Sequence, residues 1–209
     1  MNILVFGATG GTGRHLVKQA LDHGHTITAF VRKPEALPVG GERLRVVIGD
    51  ATRDHLKVTE AVRGQDVVIS TLGRRNSFKS HHLIERSMQA IVPAMQCERV
   101  QRLILVSAFG VGATHRDAPM VPRIMYRVLL KDIFADKRAA ENLVASSNLD
   151  WTIVYPVLLT DGPMTGAYRV GERLELHGLP KISRADVAHF IHAEIGKCAF
   201  VRKVAVISY

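Results

Sequence analysis

The sequence predicts an α/β protein built on a doubly wound parallel sheet with helices on both faces. Three observations predict this fold class. Short apolar runs alternate with amphipathic helical patterns along the chain, as strands and crossover helices do in parallel sheets. The first apolar run, Ile3–Phe6, leads directly into a glycine-rich turn, Gly7–Gly13. A second apolar run, Thr26–Val31, then arrives where a β-α-β unit requires its second strand.

The first half of the chain alternates regularly between strands and helices. Strands are predicted at Ile3–Phe6, Thr26–Val31, Leu44–Ile48, Asp66–Thr71 and Arg102–Ser107. Helices are predicted at Arg14–His23, Asp54–Arg63 and His81–Cys97. Asp54 is expected to cap its helix. Pro93 is expected to kink or shorten the third helix, because proline removes a backbone donor.

The second half continues the pattern and adds a small appendage, which we expect on the substrate side of the sheet. After a glycine-rich loop at 109–120, helices are predicted at Val121–Leu130 and Asp136–Ser146. Later elements are a strand at Trp151–Tyr155, a turn-rich stretch at Thr160–Arg169, a helix capped by Ser183 that runs to Ile195, and a strand at Val201–Ser208. This length suits one domain over 1–209, with 155–209 completing the substrate side.

The turn Gly7–Gly13 has the glycine spacing of dinucleotide-binding sites. Gly7 permits the tight turn, Gly10 lets a pyrophosphate approach the backbone, and Gly13 lets the helix pack closely against the strand. The unpaired N–H groups and the positive end of the helix then face an anion. Strand, turn and helix in this order predict a Rossmann-like phosphate cradle; the alternative is a glycine-rich turn in another kind of α/β protein.

The end of the second predicted strand indicates which dinucleotide is bound. Sites that prefer NAD usually place a carboxylate there to hold the ribose 2′-hydroxyl, whereas this chain has Arg32 and Lys33. A guanidinium can bind a 2′-phosphate through two charge-assisted hydrogen bonds. The sequence therefore favours NADPH over NADH, with a solvated loop cation as the alternative role for Arg32.

Other candidate residues follow from the rule that ligands bind beyond the carboxyl ends of the strands in open α/β sheets. Asp50 is a candidate for the adenine amino group, or else a simple turn residue. Gly73 would let the backbone approach a ribose, or else simply ends a strand. The predicted cofactor-binding residues are Gly7, Thr9, Gly10, Gly11, Thr12, Gly13, Arg32, Asp50, Ala51, Thr71, Leu72, Gly73, Ser107 and Pro156.

Two polar residues are candidates for catalysis. Ser107, after the fifth strand, would bind the nicotinamide or a substrate carbonyl, or else cap the next segment. Lys137 would bind the nicotinamide ribose or polarise a substrate oxygen, or else be a solvated lysine. The predicted substrate-binding residues are Arg75, Phe109, Leu158 and Met164.

Composition narrows the functional classes. The chain carries 28 Lys and Arg against 19 Asp and Glu, a net charge of +9 that suits anionic ligands. The basic residues are scattered, and four Tyr and one Trp offer few stacking platforms, so nucleic-acid binding is a weak hypothesis. No membrane span is expected, because no segment approaches 18 uninterrupted apolar residues. No signal peptide is expected, because the first predicted strand begins at Ile3.

Cysteine and histidine usage gives no indication of a metal site. Cys97 and Cys198 lie far apart in apolar surroundings, so we expect buried, reduced thiols in a cytoplasmic protein. Neither a zinc-type Cys/His spacing nor a His-Glu-x-x-His motif is present. His81 and His82 are adjacent and would point away from each other on a helix.

Taken together, these residues resemble the atypical short-chain dehydrogenase/reductase group with an NmrA-like NAD(P)H-binding core, and within it the biliverdin-IXβ and flavin reductase branch. The resemblance spans essentially the whole chain. Its matching stretches are Phe6–Gly10 through Gly13, Val31-Arg32, Gly49-Asp50, Gly64–Asp66, Leu72-Gly73 with Arg75-Asn76, Ser107–Phe109, Pro163 with Thr165–Tyr168, and Ile182-Ser183.

This resemblance implies NADPH in an extended crevice, with a flavin, a quinone or a linear tetrapyrrole stacked over the nicotinamide. It implies that the segment from Thr9 to Thr12 holds the pyrophosphate, that Arg32 holds the 2′-phosphate, and that Ser107 lies near the nicotinamide and the acceptor.

The chain departs from the group's pattern at two places. The Tyr-x-x-x-Lys pair of typical members is missing, because Tyr126 is followed four residues later by Leu130 and Tyr155 by Leu159. The loop after the sixth strand also has an apolar residue where the biliverdin reductase pattern has a histidine. Both departures favour flavin- or quinone-like acceptors, which take hydride at a ring position and a proton from water.

The leading hypothesis is therefore an NADPH-dependent oxidoreductase acting on a flavin- or quinone-like small molecule, as a monomer or homodimer. An alternative is a non-catalytic NADP(H)-sensing regulatory protein of the NmrA-like type, which the missing tyrosine–lysine pair motivates. A sugar- or isoflavone-type reductase or epimerase is a third hypothesis, weakened by the roughly 50 residues that follow Tyr155.

Overall fold

A computed structural model describes residues 1–37, 40–73, 79–114 and 131–209. The strands in these ranges are β1 (Asn2–Phe6), β2 (Thr26–Val31), β3 (Leu44–Ile48), β4 (Val67–Ser70), β5 (Arg102–Val106), β6 (Asp150–Pro156), β7 (Leu158–Thr160), β8 (Arg169–Gly171), β9 (Lys181–Ser183) and β10 (Lys203–Ser208). The helices are α1 (Gly11–Asp22), α2 (His55–Val62), α3 (Leu83–Cys97), α4 (Lys131–Ala145) and α5 (Arg184–Lys197). The helix predicted at Val121–Leu130 lies outside the described residues.

Eight of the strands form one sheet in the order β3-β2-β1-β4-β5-β6-β10-β8. All neighbouring pairs are parallel except β10 and β8, which are antiparallel. The first six strands follow the order of dinucleotide-binding Rossmann sheets, in which the strand order reverses between β1 and β4. The predicted fold class is confirmed, and the reversal places a crevice beyond the carboxyl ends of these two strands.

The sheet is buried on both faces, which explains its continuous apolar strands. In β1, Ile3 and Val5 enter the core cluster beneath α1 and α5, whereas Leu4 and Phe6 enter the cluster beneath α2, α3 and α4. Successive side chains of a strand point to opposite faces, so a single apolar run supplies both cores.

Helix boundaries differ from prediction where tertiary contacts decide them. Helix α1 begins at Gly11, inside the glycine turn. Helix α4 begins at Lys131, five residues before the predicted start, and its first turns contact the start of α3. Pro93 lies within α3 without ending it. Asp54 occupies the N-cap position of α2, but its carboxylate accepts a hydrogen bond from the Asp50 N–H instead of capping the helix.

The appendage is a second, two-stranded parallel sheet of β7 and β9, with the segment 161–168 beside it. The predicted cap of α5 is confirmed, since Ser183 Oγ accepts a hydrogen bond of 2.9 Å from the Asp186 N–H. The prediction of buried cysteines is wrong. Cys97 ends α3 and Cys198 caps the end of α5, and both are exposed because these helix ends reach the surface.

Candidate cofactor and acceptor site

The glycine turn after β1 is shaped by backbone contacts that leave no room for side chains. Gly7 has a φ of +81°, and a Cβ there would lie 2.8 Å from the Thr71 carbonyl carbon. A Cβ on Gly13 would lie 2.9 Å from the Ala8 Cα and closer still to the Gly7 carbonyl oxygen. Thr71 fixes the turn further, because its hydroxyl donates to the Gly7 carbonyl at 3.1 Å.

The start of α1 is suited to an anion. Its first intrahelical hydrogen bond runs from the Arg14 N–H to the Gly10 carbonyl at 2.9 Å, so the N–H groups of the preceding turn have no helical acceptor. Gly10 has no side chain to cap them, and no acidic residue lies in the first turn. These free donors and the positive helix end fit the pyrophosphate of a dinucleotide.

One end of the crevice is a cavity of about 110 Å³ between the glycine turn and the ends of β2 and β3. Its walls include these predicted cofactor residues: Gly7, Thr9, Gly10, Arg32, Asp50, Ala51, Thr71, Leu72 and Gly73. Arg32 is exposed at the end of β2, on the side where an adenosine ribose would lie.

Asp50 is both a turn residue and a member of this wall. Its Oδ1 accepts hydrogen bonds from the N–H and the hydroxyl of Thr52, at 2.9 and 2.7 Å. Burial raises the pKa of Asp50, but the two Thr52 hydrogen bonds and the nearby cations Arg32 and Arg53 outweigh it, so the pKa lies below its usual value. Asp50 is therefore an ionised acceptor whose Oδ1 is already used by the turn.

The other end of the crevice is a mostly apolar cavity of about 220 Å³. It is lined by Thr12, Thr71, Leu72, Gly73, Ser80, Leu83, Ile84, Val106, Ser107, Ala108, Ile133, Asp136, Lys137 and Leu159. Thr71, Leu72 and Gly73 line both cavities, so the two cavities adjoin each other at the strand ends, one beside the glycine turn and the other beside Ser107 and Lys137. Both predicted catalytic residues line this second end.

Ser107 belongs to a buried hydrogen-bonded network centred on Glu141 of α4. The Ser107 hydroxyl donates to Glu141 Oε1, and the Tyr155 hydroxyl donates to Glu141 Oε2 at 2.9 Å. The pKa of Glu141 is raised, because the effect of burial outweighs the lowering effect of the two hydrogen bonds and of the nearby cation Lys137. The network excludes a side chain at Gly112, because a Cβ there would overlap the Glu141 carboxylate and lie 2.7 Å from the Tyr155 oxygen.

Lys137 precedes Glu141 by one helical turn on α4. The neighbouring Asp136 is buried and accepts hydrogen bonds from the N–H groups of Ile84 and Glu85, at 3.1 and 2.8 Å, which ties α4 to the start of α3. Burial lowers the pKa of Lys137 to about 8, against the attraction of Glu141 and Asp136. Lys137 can therefore exchange a proton near neutral pH.

The predicted substrate wall differs from the wall of this cavity. Leu158 and Met164 are 51% and 52% exposed, and neither lines the cavity as formed by the described residues. Alternation along β7 turns Leu159 inward instead. Phe109 packs against both core clusters, and its N–H donates to the Pro156 carbonyl at 3.0 Å. Arg75 lies outside the described residues.

The segment that carries Met164 is anchored by a buried carboxylate. Asp186 of α5 accepts hydrogen bonds from the Thr165 and Gly166 N–H groups, both at 2.8 Å, and from the hydroxyls of Thr165, Ser183 and Tyr209. The pKa of Asp186 is lowered because these donors outweigh the effect of its burial. The Pro163–Tyr168 motif thus owes its local structure to α5.

Two members of the Ser107 network were missed by the sequence reasoning. Glu141 is detectable in principle, because it lies four residues after Lys137 and so shares its helix face. Tyr155 ends the predicted sixth strand, at the ligand-binding edge of the sheet, but the sequence assigns it no partner because it does not form a Tyr-x-x-x-Lys pair. The structure instead brings it to Glu141 from β6, a contact that no local spacing encodes.

The chain belongs to the NAD(P)H-binding family, whose model matches residues 7–197. It is 28% identical over 202 residues to the uncharacterized sugar epimerase YhfK of Bacillus subtilis, covering 93% of this chain and 88% of YhfK. It spans 61% of the length of one longer plant relative. The predicted membership of an NmrA-like, short-chain dehydrogenase/reductase group is confirmed.

Solved structures agree with this family. ChuY, an anaerobilin reductase from Escherichia coli O157:H7, superposes with a TM-score of 0.82 at 26% identity, covering 99% of this chain and 96% of ChuY. A short-chain dehydrogenase/reductase from Veillonella parvula, solved in complex with NADP, has a TM-score of 0.82 at 23% identity and covers 100% of this chain and 94% of that one. The family and its neighbours include NAD(P)H-dependent reductases.

Two further findings concern the described residues only. None of their helices is both long and apolar enough to span a bilayer. Within the same ranges, no three His, Cys, Asp or Glu side chains are grouped so as to hold a metal ion.

Proposed function

We propose that the protein is an NADPH-dependent reductase that delivers hydride to a flavin- or quinone-like acceptor. The observation that carries this proposal is the pair of adjoining cavities, which places the glycine turn beside an apolar cavity with the ionisable amine of Lys137 in its wall. When bound, NADPH supplies the hydride. The apolar wall of the second cavity suits a flat aromatic acceptor. The structural similarity of the chain to the reductase ChuY supports the same class of chemistry.

The cofactor preference rests on Arg32. Its exposed guanidinium at the end of β2 would bind a 2′-phosphate with two hydrogen bonds, each contributing about 1.5–3 kcal/mol. The end of β2, where sites that prefer NADH have a carboxylate, is followed in this chain by the cations Arg32 and Lys33.

On the acceptor side, the residues have distinct tasks. Glu141 accepts hydrogen bonds from both the Ser107 and the Tyr155 hydroxyls, so the Ser107 oxygen keeps lone pairs with which to accept from the carboxamide N–H of a nicotinamide. Lys137 holds a proton at Nζ close to the acceptor and can release it as the acceptor is reduced. Tyr155 is not an acid, because burial and Glu141 raise its pKa far above the usual value.

The test is steady-state oxidation of NADPH and NADH by the purified protein with flavins, quinones and a redox dye. We expect turnover with NADPH, and we expect Arg32→Gln to lower the affinity for NADPH at least tenfold while leaving NADH unchanged. Arg63→Gln is a matched control, because Arg63 pairs with Glu98 after the end of α2, away from the strand ends that form the crevice.

A second candidate is an NADP(H) sensor without turnover, favoured by the commitment of the Tyr155 hydroxyl to Glu141. Tight and equal binding of NADPH and NADP⁺, with no oxidation in the presence of any acceptor, would identify this function in place of the reductase.

A further inference from the structure

Arg184, the first residue of α5, lies across the glycine turn. A Cβ on Gly11 would lie 2.5 Å from the Arg184 Cδ and 2.9 Å from its Nε. The Arg184 side chain therefore occupies the space that a side chain would fill at Gly11, the first residue of α1. Nothing local in the sequence points to this cation, because Arg184 lies more than 170 residues after the glycine turn.

An ion pair with Asp161 holds Arg184 in this place. The distance from Arg184 Nη1 to Asp161 Oδ1 is 2.6 Å. The pair is set by strand register, since β7 and β9 are parallel with Thr160 opposite Ser183, and Asp161 and Arg184 are the next residues of each strand. Asp161 is 75% exposed and Arg184 is 24% exposed. Such a water-exposed carboxylate is a weak partner for a guanidinium.

We propose that Arg184 is a phosphate-binding residue of the cofactor site, supplied by α5 and held by Asp161 until a dinucleotide binds. This inference rests on the proposed function. An anion bound to the N–H groups of the α1 terminus lies beside the guanidinium, and a pyrophosphate oxygen is a stronger acceptor than an exposed carboxylate. The guanidinium then transfers its hydrogen bond from Asp161 to the pyrophosphate.

The role differs from that of Arg32 in a measurable way. The pyrophosphate is common to NADPH and NADH, whereas only NADPH carries the 2′-phosphate that Arg32 would bind. Loss of Arg184 should therefore weaken both dinucleotides by the same factor. Loss of Asp161 should strengthen both, because the competing carboxylate is removed.

The experiment is fluorescence titration of the full chain with NADPH and with NADH, alongside thermal melting to verify folding. For Arg184→Gln we expect the Kd of both dinucleotides to rise about tenfold, and for Asp161→Asn we expect it to fall about threefold. Gly11→Ala, whose methyl group displaces the Arg184 side chain, should weaken binding in the wild-type background but not in Arg184→Gln. Arg63→Gln, which also breaks an arginine–carboxylate pair and removes one charge, should leave both Kd values unchanged.

The outcomes separate the inference from the function on which it rests. A folded Arg184→Gln with unchanged Kd values, or with a loss for NADPH alone, overturns the inference and leaves the reductase proposal standing. If Arg184→Gln does not fold, Asp161→Asn decides, and unchanged or weaker binding by that variant overturns the inference. Wild-type protein that binds neither dinucleotide overturns the proposed function itself, and the inference with it.

Discussion

The two ends of the crevice are made in different ways. The glycine-turn end is lined by Gly7, Thr9 and Gly10 of one contiguous turn, together with residues that directly follow β2, β3 and β4. Its shape is set by the backbone. The acceptor end combines side chains from separate elements, with Ser107 after β5, Lys137 on α4 and Leu159 on β7.

The two ends are therefore expected to respond differently to substitution. At the glycine turn, the ligand and the fold use the same close backbone contacts, so a change there should damage binding and stability together. At the acceptor end, Glu141 and Lys137 are held by hydrogen bonds and charge, so a change there should alter chemistry and pH dependence while the fold survives.

The first prediction concerns Gly13, whose close contacts with backbone atoms help to shape the glycine-turn end. In Gly13→Ala, the new methyl group would meet the Gly7 carbonyl and the Ala8 Cα, both main-chain atoms that cannot move aside. We expect a loss of about 3 kcal/mol in the free energy of unfolding, equivalent to a fall of about 6–12 °C in Tm. Dinucleotide binding should fall with it, as measured by thermal melting and titration.

Gly196→Ala is the control for this variant. Gly196 lies in α5, and a Cβ there would meet no atom within 4 Å. The substitution should be neutral or stabilising by up to about 1 kcal/mol, because alanine is the better helix former. A melting temperature for Gly13→Ala equal to that of Gly196→Ala would refute the backbone-built account of this end.

The second prediction concerns proton transfer at the acceptor end. Lys137→Met should lower kcat by about 10²-fold with acceptors that need a proton, while the Kd for NADPH stays nearly constant. The pKa of Lys137 is about 8, so its acid form prevails below that pH, and wild-type kcat should fall as the pH rises through about 8. This alkaline decrease should be absent in Lys137→Met, as rate profiles from pH 6 to 10 would reveal.

Glu141→Gln sharpens the same measurement. The Glu141 charge raises the pKa of Lys137, so its removal should shift the alkaline decrease in kcat to lower pH. A shift to higher pH, or none, would mean that the two residues are not coupled. A variant that merely loosened the structure would lower the rate without moving the profile.

The glycine-turn end of the site is more predictable from the sequence than the acceptor end. Glycine spacing and Arg32 are local features, and the alternation of strands and helices predicts a doubly wound sheet, although it does not determine the strand order. The acceptor end depends on which side chains meet. Ser107 and Lys137 were expected there, but Glu141 and Tyr155 join them only through tertiary packing. Leu158 is the wall residue predicted from the sequence, whereas Leu159 lines the cavity; the sequence does not predict β7, whose three residues show too little alternation to indicate which side chain faces inward.

The third prediction, with the smallest expected effect, concerns Leu158 and Leu159. Leu159 lines the larger cavity, whereas Leu158 is half exposed outside it, so the two leucines form a matched pair. Leu159→Ala should raise KM for apolar acceptors by about three- to tenfold through lost apolar contact, with kcat little changed. Leu158→Ala should leave KM unchanged, and NADPH affinity should be the same in both variants. A larger rise in KM for Leu158→Ala than for Leu159→Ala, or no rise for Leu159→Ala, would place the acceptor outside this cavity.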